Sequence, residues 1–249
     1  MKYLIKAVFS LVIITGCHQA HIKHIQYPDT VIDPEIQDIY FSNAVPDPYR
    51  WLEDDNSVET AEWVESQNKI TFDYLENIPQ RDLIKRRLTD IWDYEKVSAP
   101  FKRGGKYYYY KNEGLQNQSV FYSVEKLGGA EKIILDPNTF SEDGTIALSG
   151  IYFNGDGNLL GYAKSKGGSD WKEFYIHDLN TGEDLKDHLE WIKFSGMSWA
   201  GDGFYYSRFP QPEDGGELDD ANENAKVYYH KLGTHQEEDR LVYSDSENP

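Results

Sequence analysis

The chain has 249 residues, which is enough for one or two domains with a hydrophobic core. It carries 43 acidic and 25 basic side chains, and its formal net charge of −18 repels phosphate backbones, which argues against nucleic acid as a partner. Aromatic residues make up 14% of the chain, including 19 tyrosines. That share excludes a disordered acidic chain and is typical of β-structure.

The N-terminus has the pattern of a secretory signal. Two lysines precede the mostly apolar run 7–14, which is too short to span a bilayer. The sequence Ile14-Thr15-Gly16 then precedes Cys17, the sole cysteine, and resembles the cleavage box of bacterial lipoproteins. We predict that residues 1–17 are a lipoprotein signal peptide, with cleavage before Cys17 and lipidation of its thiol. An ordinary signal peptide with a chance cysteine is the alternative.

The residues after Cys17 are predicted to be a linker, 18–26. His18, His21 and His24 recur every three residues, a spacing that does not hold one helix face, so we predict no metal site there. Because His18 is not the aspartate that signals inner-membrane retention, the predicted location is the periplasmic side of a bacterial envelope. The lipid would anchor the chain at the outer membrane.

Two helices are predicted after the stretch Asp47–Asp54, which reads DPYRWLED and combines large apolar side chains with charges. Asn56 and Glu59 have capping-box spacing, which predicts a helix over 56–75. Apolar residues three or four apart predict a second helix over 81–92. The basic cluster within this helix, 85–87, is interpreted as a solvated face and not as a binding patch.

The remainder of the chain is predicted to be β-structure. Short runs of β-branched and aromatic residues replace the helical spacing after Trp92. The predicted strands are 107–110, 119–124, 132–135, 159–163, 174–176, 204–206 and 227–229.

A repeat is visible in this β-region. A glycine turn followed by an aromatic or apolar strand begins at Gly105, Gly157 and Gly203, at separations of about 50 residues. Short strands and glycine turns at such a period are typical of propeller blades, of which we count about three. Since propellers close with about four to eight blades, the predicted fold is a mostly β, partial β-propeller.

Several motifs in order resemble the prolyl oligopeptidases, a family of serine peptidases. They are the Asp47–Asp54 stretch, 67–71, 114–118, 135–138, 143–145 and 168–171. The resemblance covers roughly Tyr27 to the end of the chain. It implies that 27–96 is the N-terminal helical segment, which in the family packs on an α/β-hydrolase domain. It also implies that 97–249 is the first part of a seven-bladed propeller.

No catalytic residue is predicted in these 249 residues. A serine hydrolase of this type needs a nucleophile in Gly-x-Ser-x-Gly, but near Ser169 the closing glycine is replaced by Trp171. His177 and His188 are interpreted as strand or loop residues. The resemblance places the Ser-Asp-His triad in the C-terminal domain, and we expect the chain by itself not to hydrolyse peptides. No cofactor or metal is predicted.

The resemblance also indicates one substrate contact. Phe194, within Trp191-Ile192-Lys193-Phe194-Ser195, matches a family phenylalanine that points from the propeller toward the bound peptide. A core aromatic of the propeller is the alternative, because strand alternation does not identify the tunnel face. The acidic, glycine-bearing run 212–224 is predicted to be the most mobile loop of the β-region, and it lacks the ligand spacing of an EF-hand.

Two functions are compatible with the sequence. The first is the N-terminal part of a lipid-anchored prolyl oligopeptidase that cleaves short proline-containing peptides after proline, with the propeller restricting access. The second is a non-catalytic, lipid-anchored propeller that binds peptides or protein partners. A sister peptidase that cuts after basic residues is a variant of the first. Without the domain on which the helices would pack, the isolated chain is expected to be prone to aggregation.

Overall fold

The computed structural model describes residues 25–212 and 221–247. The chain divides into two compact units, the first ending at Arg81 and the second beginning at Asp82. The described helices are α1 (Val58–Glu76) and α2 (Arg81–Trp92). The described strands are β1 (Gln37–Tyr40), β2 (Asn43–Pro46), β3 (Lys96–Val97), β4 (Phe101–Arg103), β5 (Lys106–Asn112), β6 (Val120–Val124), β7 (Lys132–Leu135), β8 (Ile146–Phe153), β9 (Leu159–Lys166), β10 (Lys172–Asp178), β11 (Glu183–Ile192), β12 (Ser198–Ala200), β13 (Gly203–Arg208), β14 (Lys226–Lys231) and β15 (Arg240–Tyr243). The predicted domain boundaries, including the one between residues 96 and 97, remain predictions.

Arg50 organises the first unit. Its Nε donates to Asp47 Oδ2 at 2.6 Å, and its terminal nitrogens reach the carboxylate of Asp38 on β1. The backbone N–H of Asp47 donates to the carbonyl of Ile36 at 2.9 Å. The guanidinium therefore joins the β1–β2 hairpin to the short 3₁₀ turn that begins at Arg50.

Two tryptophans fix the same stretch to α1. Trp51 Nε1 donates to the carbonyl of Val31 at 3.0 Å, and Trp63 Nε1 donates to Thr30 Oγ1 at 2.9 Å. The two indole rings meet edge to face, 6.5 Å apart. Thr60 Oγ1 donates to the carbonyl of Trp51 at 3.1 Å. The extended segment before β1, the 3₁₀ turn and α1 therefore form one hydrogen-bonded body.

Helix α1 begins two residues later than the capping-box spacing predicts. Ser57 is the N-cap, because its Oγ accepts the backbone N–H of Thr60 at 3.1 Å. The backbone N–H of Asn56 instead donates to Asp54 Oδ1 at 3.1 Å, in a turn before the helix. The prediction of Asn56 as the cap was therefore wrong, whereas α2 spans the predicted residues.

After α2, the second unit consists of three consecutive antiparallel sheets. We call them blade 1 (β3 to β7), blade 2 (β8 to β11) and blade 3 (β12 to β15). The glycine turns of the predicted repeat lie at the β4–β5, β8–β9 and β12–β13 hairpins. The three sheets do not close into a ring within the described residues. The mostly β, partial propeller predicted from the sequence is confirmed.

The hydrophobic core lies between successive blades, since alternate residues of a strand face opposite neighbours. Leu160 and Tyr162 of β9 face blade 1 and pack in a cluster with Phe121. Phe174 of β10 faces blade 3 and packs with Phe204. Burial of each such side chain contributes about 1.5–3 kcal/mol. Among the described residues, none of the helices has the length and apolar composition that a membrane crossing requires.

Candidate functional site

The turn between blades 2 and 3 has an unusual backbone. Trp191 and Phe194 have φ angles of 60° and 54°, a left-handed conformation that is rare for bulky residues. Two hydrogen bonds hold the turn against the end of β13: the N–H of Phe209 donates to the carbonyl of Trp191 at 3.0 Å, and the N–H of Ser207 donates to Ser195 Oγ at 2.8 Å. Strain that its surroundings maintain in this way is characteristic of ligand-binding segments.

Phe194 points out of this turn. Its side chain is 72% exposed, whereas Ile192 and Lys193 are buried. It is therefore not a core aromatic of the described blades, which was one of the two interpretations of the sequence. A large exposed apolar side chain on a strained backbone is available for contact with a ligand. Its role as a substrate contact stays a prediction.

Lys193 points to the other side of the turn, into a cluster of aromatic rings. Its ammonium nitrogen lies 3.9 Å from the ring centre of Trp171 and donates to Asn222 Oδ1 at 2.8 Å. Trp171 in turn meets Trp191 and Phe209 edge to face, with ring centres 5.7 and 6.2 Å apart. The cation–π contact and the ring packing fix the position of the turn that carries Phe194.

A cavity of about 230 Å³ lies beside this aromatic cluster. Its walls are two aromatic rings, two prolines, an alanine and polar side chains: Trp171, Phe209, Pro210, Gln211, Pro212 and 221–224. The cavity is smaller than the roughly 300 Å³ at which drug-sized pockets begin. Its size suits one side chain or a short piece of a peptide.

Ser169, His177 and His188 are the residues of the sequence that most resemble parts of a hydrolase triad. In the structure each of them has a different hydrogen-bond partner. Ser169 Oγ accepts the backbone N–H of Trp171 at 3.1 Å. His177 pairs with Asp184 at 2.8 Å, and His188 pairs with Glu173 at 2.8 Å. Among the described hydrogen bonds none joins Ser169 to either histidine.

One group of side chains has the composition of a metal-ligand set. Glu173, His188 and Glu190 place a ligand atom each within 4.8 Å of one another. The Tyr175 hydroxyl and His188 both hydrogen-bond to Glu173. Burial disfavours ionisation of Glu173, but these two hydrogen bonds, together with the nearby charges of His188 and Lys164, outweigh it and hold the pKa of Glu173 below its usual value. The carboxylate and the imidazole therefore satisfy each other.

The sequence did not reveal this group, because its members lie on two neighbouring strands. The only signal is alternation: Glu173 and Tyr175 share one face of β10, and His188 and Glu190 share the corresponding face of β11. Cys17 and the three N-terminal histidines lie outside the described residues, as do residues 213–220 of the predicted mobile loop.

The fold and the site define a class of protein: a partial β-propeller that follows a helical segment in the chain, with an exposed aromatic side chain on the connection between two blades. The chain belongs to the prolyl oligopeptidase family, since residues 28–249 match the family model described as "Prolyl oligopeptidase, N-terminal beta-propeller domain". This result confirms the resemblance seen in the sequence motifs.

Individual relatives agree with this assignment. The chain is 48% identical over 226 residues to a prolyl endopeptidase of Elizabethkingia miricola, a match that covers 90% of this chain and 32% of the relative. A prolyl endopeptidase of Dictyostelium discoideum is 33% identical, with 90% and 36% covered. The structure is similar to prolyl oligopeptidase B from Galerina marginata bound to a 25mer macrocyclization substrate, with a TM-score of 0.77, 31% identity, and 90% and 34% covered. The chain thus spans about a third of the length of the relatives it matches.

Proposed function

We propose that this chain is the N-terminal part of a prolyl oligopeptidase-like serine endopeptidase that cleaves short peptides after proline. The blades would form the beginning of a propeller that restricts access to the active site. The relatives named prolyl endopeptidases support the activity. The outward-pointing side chain of Phe194 is the observation that supports a substrate contact by the propeller.

The roles proposed for the hydrolase domain and for this chain follow from the requirements of acyl transfer. Acyl transfer requires an activated nucleophile, a base in contact with it and donors for the oxyanion. The 249 residues contain no Gly-x-Ser-x-Gly, and family resemblance assigns the triad to an α/β-hydrolase domain. In the proposed enzyme, that domain performs the chemistry while Phe194 contacts the peptide a few residues from the cut.

The proposal is tested in two stages. The first stage is to sequence the gene beyond codon 249, where the proposal requires a continuing frame with Gly-x-Ser-x-Gly. The second is to express the complete protein and compare Phe194→Ala with Leu127→Ala, an exposed residue of blade 1, as the control. We expect Phe194→Ala to lower kcat/KM by about 10-fold for long proline-containing peptides and to leave a minimal proline substrate unaffected.

One outcome would contradict the proposed enzyme, and another would contradict the role of Phe194 in it. A stop codon after Pro249 together with peptide binding that Phe194→Ala abolishes would support the non-catalytic, peptide-binding propeller instead. Equal effects of Phe194→Ala and Leu127→Ala on long peptides would leave Phe194 without a substrate role.

We also propose that the protein is anchored through Cys17 at the outer membrane, on the periplasmic side. The basic, apolar and small-residue pattern before the sole cysteine supports this location. Replacement of Cys17 by Ser should release the protein from the membrane fraction and abolish incorporation of labelled palmitate. An unchanged membrane fraction would contradict the anchor.

A further inference from the structure

His230 on β14 is buried between two carboxylates that belong to different blades. Its Nε2 lies 2.9 Å from Oδ1 of Asp187, on β11 of blade 2. Its Nδ1 lies 2.7 Å from Oδ1 of Asp239, which precedes β15 of blade 3. The side chains of His230 and of both aspartates are almost completely buried. One imidazole therefore bridges the junction between blades 2 and 3.

The neighbouring elements supply the other contacts of this group, and the charge of Arg208, on β13, acts on one of its members, Tyr206. The Tyr206 hydroxyl, from β13, donates to Asp239 Oδ2 at 2.6 Å. The backbone N–H of Gly233 donates to Asp187 Oδ1 at 2.7 Å. The ring of Phe204 packs 5.2 Å from the imidazole. The titratable groups that face His230 are therefore the two aspartates, with Tyr206 behind one of them.

To donate to both carboxylates, His230 must carry a proton on each of its two ring nitrogens. A neutral imidazole has one N–H and one lone pair, so either neutral tautomer would turn a lone pair toward a carboxylate oxygen. Only the imidazolium donates to both aspartates. Burial lowers the pKa of His230, but the hydrogen bonds and charges of Asp187 and Asp239 outweigh burial and raise the pKa to about 9.

We propose that His230 is a proton-dependent clamp, which holds blades 2 and 3 together while protonated and loosens their junction in alkaline solution. Because the folded pKa lies above the unfolded value of 6.5, the stabilisation is complete below about pH 6.5 and is lost as the pH rises through 9. The clamp is independent of the proposed peptidase activity.

Blade 2 provides a matched control for this clamp. At the corresponding position His177 pairs through Nδ1 with Asp184 at 2.8 Å, and the Tyr162 hydroxyl donates to Asp184 at 2.6 Å. His177 contacts one carboxylate, and a neutral tautomer with its proton on Nδ1 satisfies that contact. His177 therefore provides a singly paired histidine at the same place in the neighbouring blade.

The experiment uses hydrogen exchange of the full chain between pH 6.5 and 9.5. After correction for the intrinsic pH dependence of exchange, protection of β14 amides should fall by about 100-fold relative to β6 amides of blade 1. Asp239→Asn should remove most of this fall, since its amide nitrogen can donate to a neutral His230 while its oxygen accepts from Tyr206. His177→Gln should leave the fall unchanged.

A second measurement keeps the test decisive if Asp239→Asn does not fold. In the unaltered chain, the ¹⁵N shifts of His230 at pH 7 should show both ring nitrogens protonated, with titration near pH 9. A neutral tautomer at pH 7 would overturn the proposal. So would an alkaline loss of β14 protection that is the same in Asp239→Asn as in the unaltered chain.

Discussion

Lys193 and Trp171 form a cation–π pair, with the ammonium nitrogen 3.9 Å from the ring centre, immediately before the exposed Phe194. Trp171 lies on the β9–β10 connection of blade 2 and Lys193 on the turn between blades 2 and 3, so the pair ties that connection to the end of β11. Since neighbouring residues of the turn point in opposite directions, the buried Lys193 determines where Phe194 projects.

Lys193→Met is expected to weaken this turn. Methionine keeps an unbranched apolar stem but loses the ammonium group, its contact with Trp171 and its hydrogen bond to Asn222. The free energy of unfolding should fall by about 1–2 kcal/mol in urea denaturation. Lys186→Met, at an exposed position of β11, is the control and should have no comparable effect. Equal losses in the two variants would contradict the role assigned to Lys193.

Gly157→Ala is expected to disturb the packing of blade 1 against blade 2. A Cβ at Gly157 would lie 2.6 Å from the Cα of Gly104, whereas a Cβ at Gly105 would meet no atom within 4 Å. Gly157 and Gly105 have φ angles of +69° and +84°, so alanine is strained at both positions. Urea denaturation should therefore show an additional loss of about 1–3 kcal/mol for Gly157→Ala over Gly105→Ala. If Gly105→Ala is as destabilising, the contact between the two hairpins is unimportant.

The sequence predicted the strands that form short, uninterrupted β-branched or aromatic runs and missed others in which polar residues or glycine break the run. All seven predicted strands form, but β11 reads EDLKDHLEWI, and its charged residues conceal its alternation. Asp187 is buried in that strand because His230 neutralises it, a contact 43 residues away in sequence. In β8, Ser149 and Gly150 interrupt the apolar run, and a register shift falls between 148 and 150. These strands are specified by tertiary contacts more than by local pattern.

The candidate site was predictable only in part. Family resemblance identified Phe194, but the residues that fix its turn are distributed over several connections between strands. Trp171, Phe209 and Asn222 come together only when the blades have folded, and no spacing in the sequence connects them with Lys193. A left-handed φ at a bulky residue is likewise a property of the folded backbone, for which the sequence carries no marker.

The Arg50→Lys variant is expected to lose the contacts through which Arg50 joins segments of the first unit. Arg50 contacts two carboxylates from different segments, Asp47 and Asp38, and an ammonium group lacks the planar set of donors that spans them. The hydrogen bond with Arg50 holds the pKa of Asp38 below its usual value, so NMR titration of Arg50→Lys should show that pKa moving back toward 3.8. Amide exchange in β1 should accelerate at the same time. The control is Arg86→Lys in α2, which should leave the titration of Asp38 unaltered.

Phe41→Asn is expected to stabilise the β1–β2 hairpin. Phe41 and Ser42 have φ angles of 50° and 71°, which gives the turn the left-handed geometry that Asn-Gly favours. Phe41 is 99% exposed, so its replacement removes almost no buried apolar surface, while asparagine tolerates this conformation better. The free energy of unfolding should rise by about 0.5–1 kcal/mol, and Ser42→Gly should add to the gain.

Tyr40→Asn is the matched control for Phe41→Asn. Tyr40 lies next to Phe41 but belongs to β1, where it pairs with Asn43, and it is outside the group of residues with positive φ. Asparagine is unfavourable in a strand, so this variant should be neutral or destabilising in the same urea experiment. If both variants stabilise the chain alike, the gain comes from removing exposed aromatic surface. If only Phe41→Asn does so, it comes from relief of the left-handed backbone at the turn.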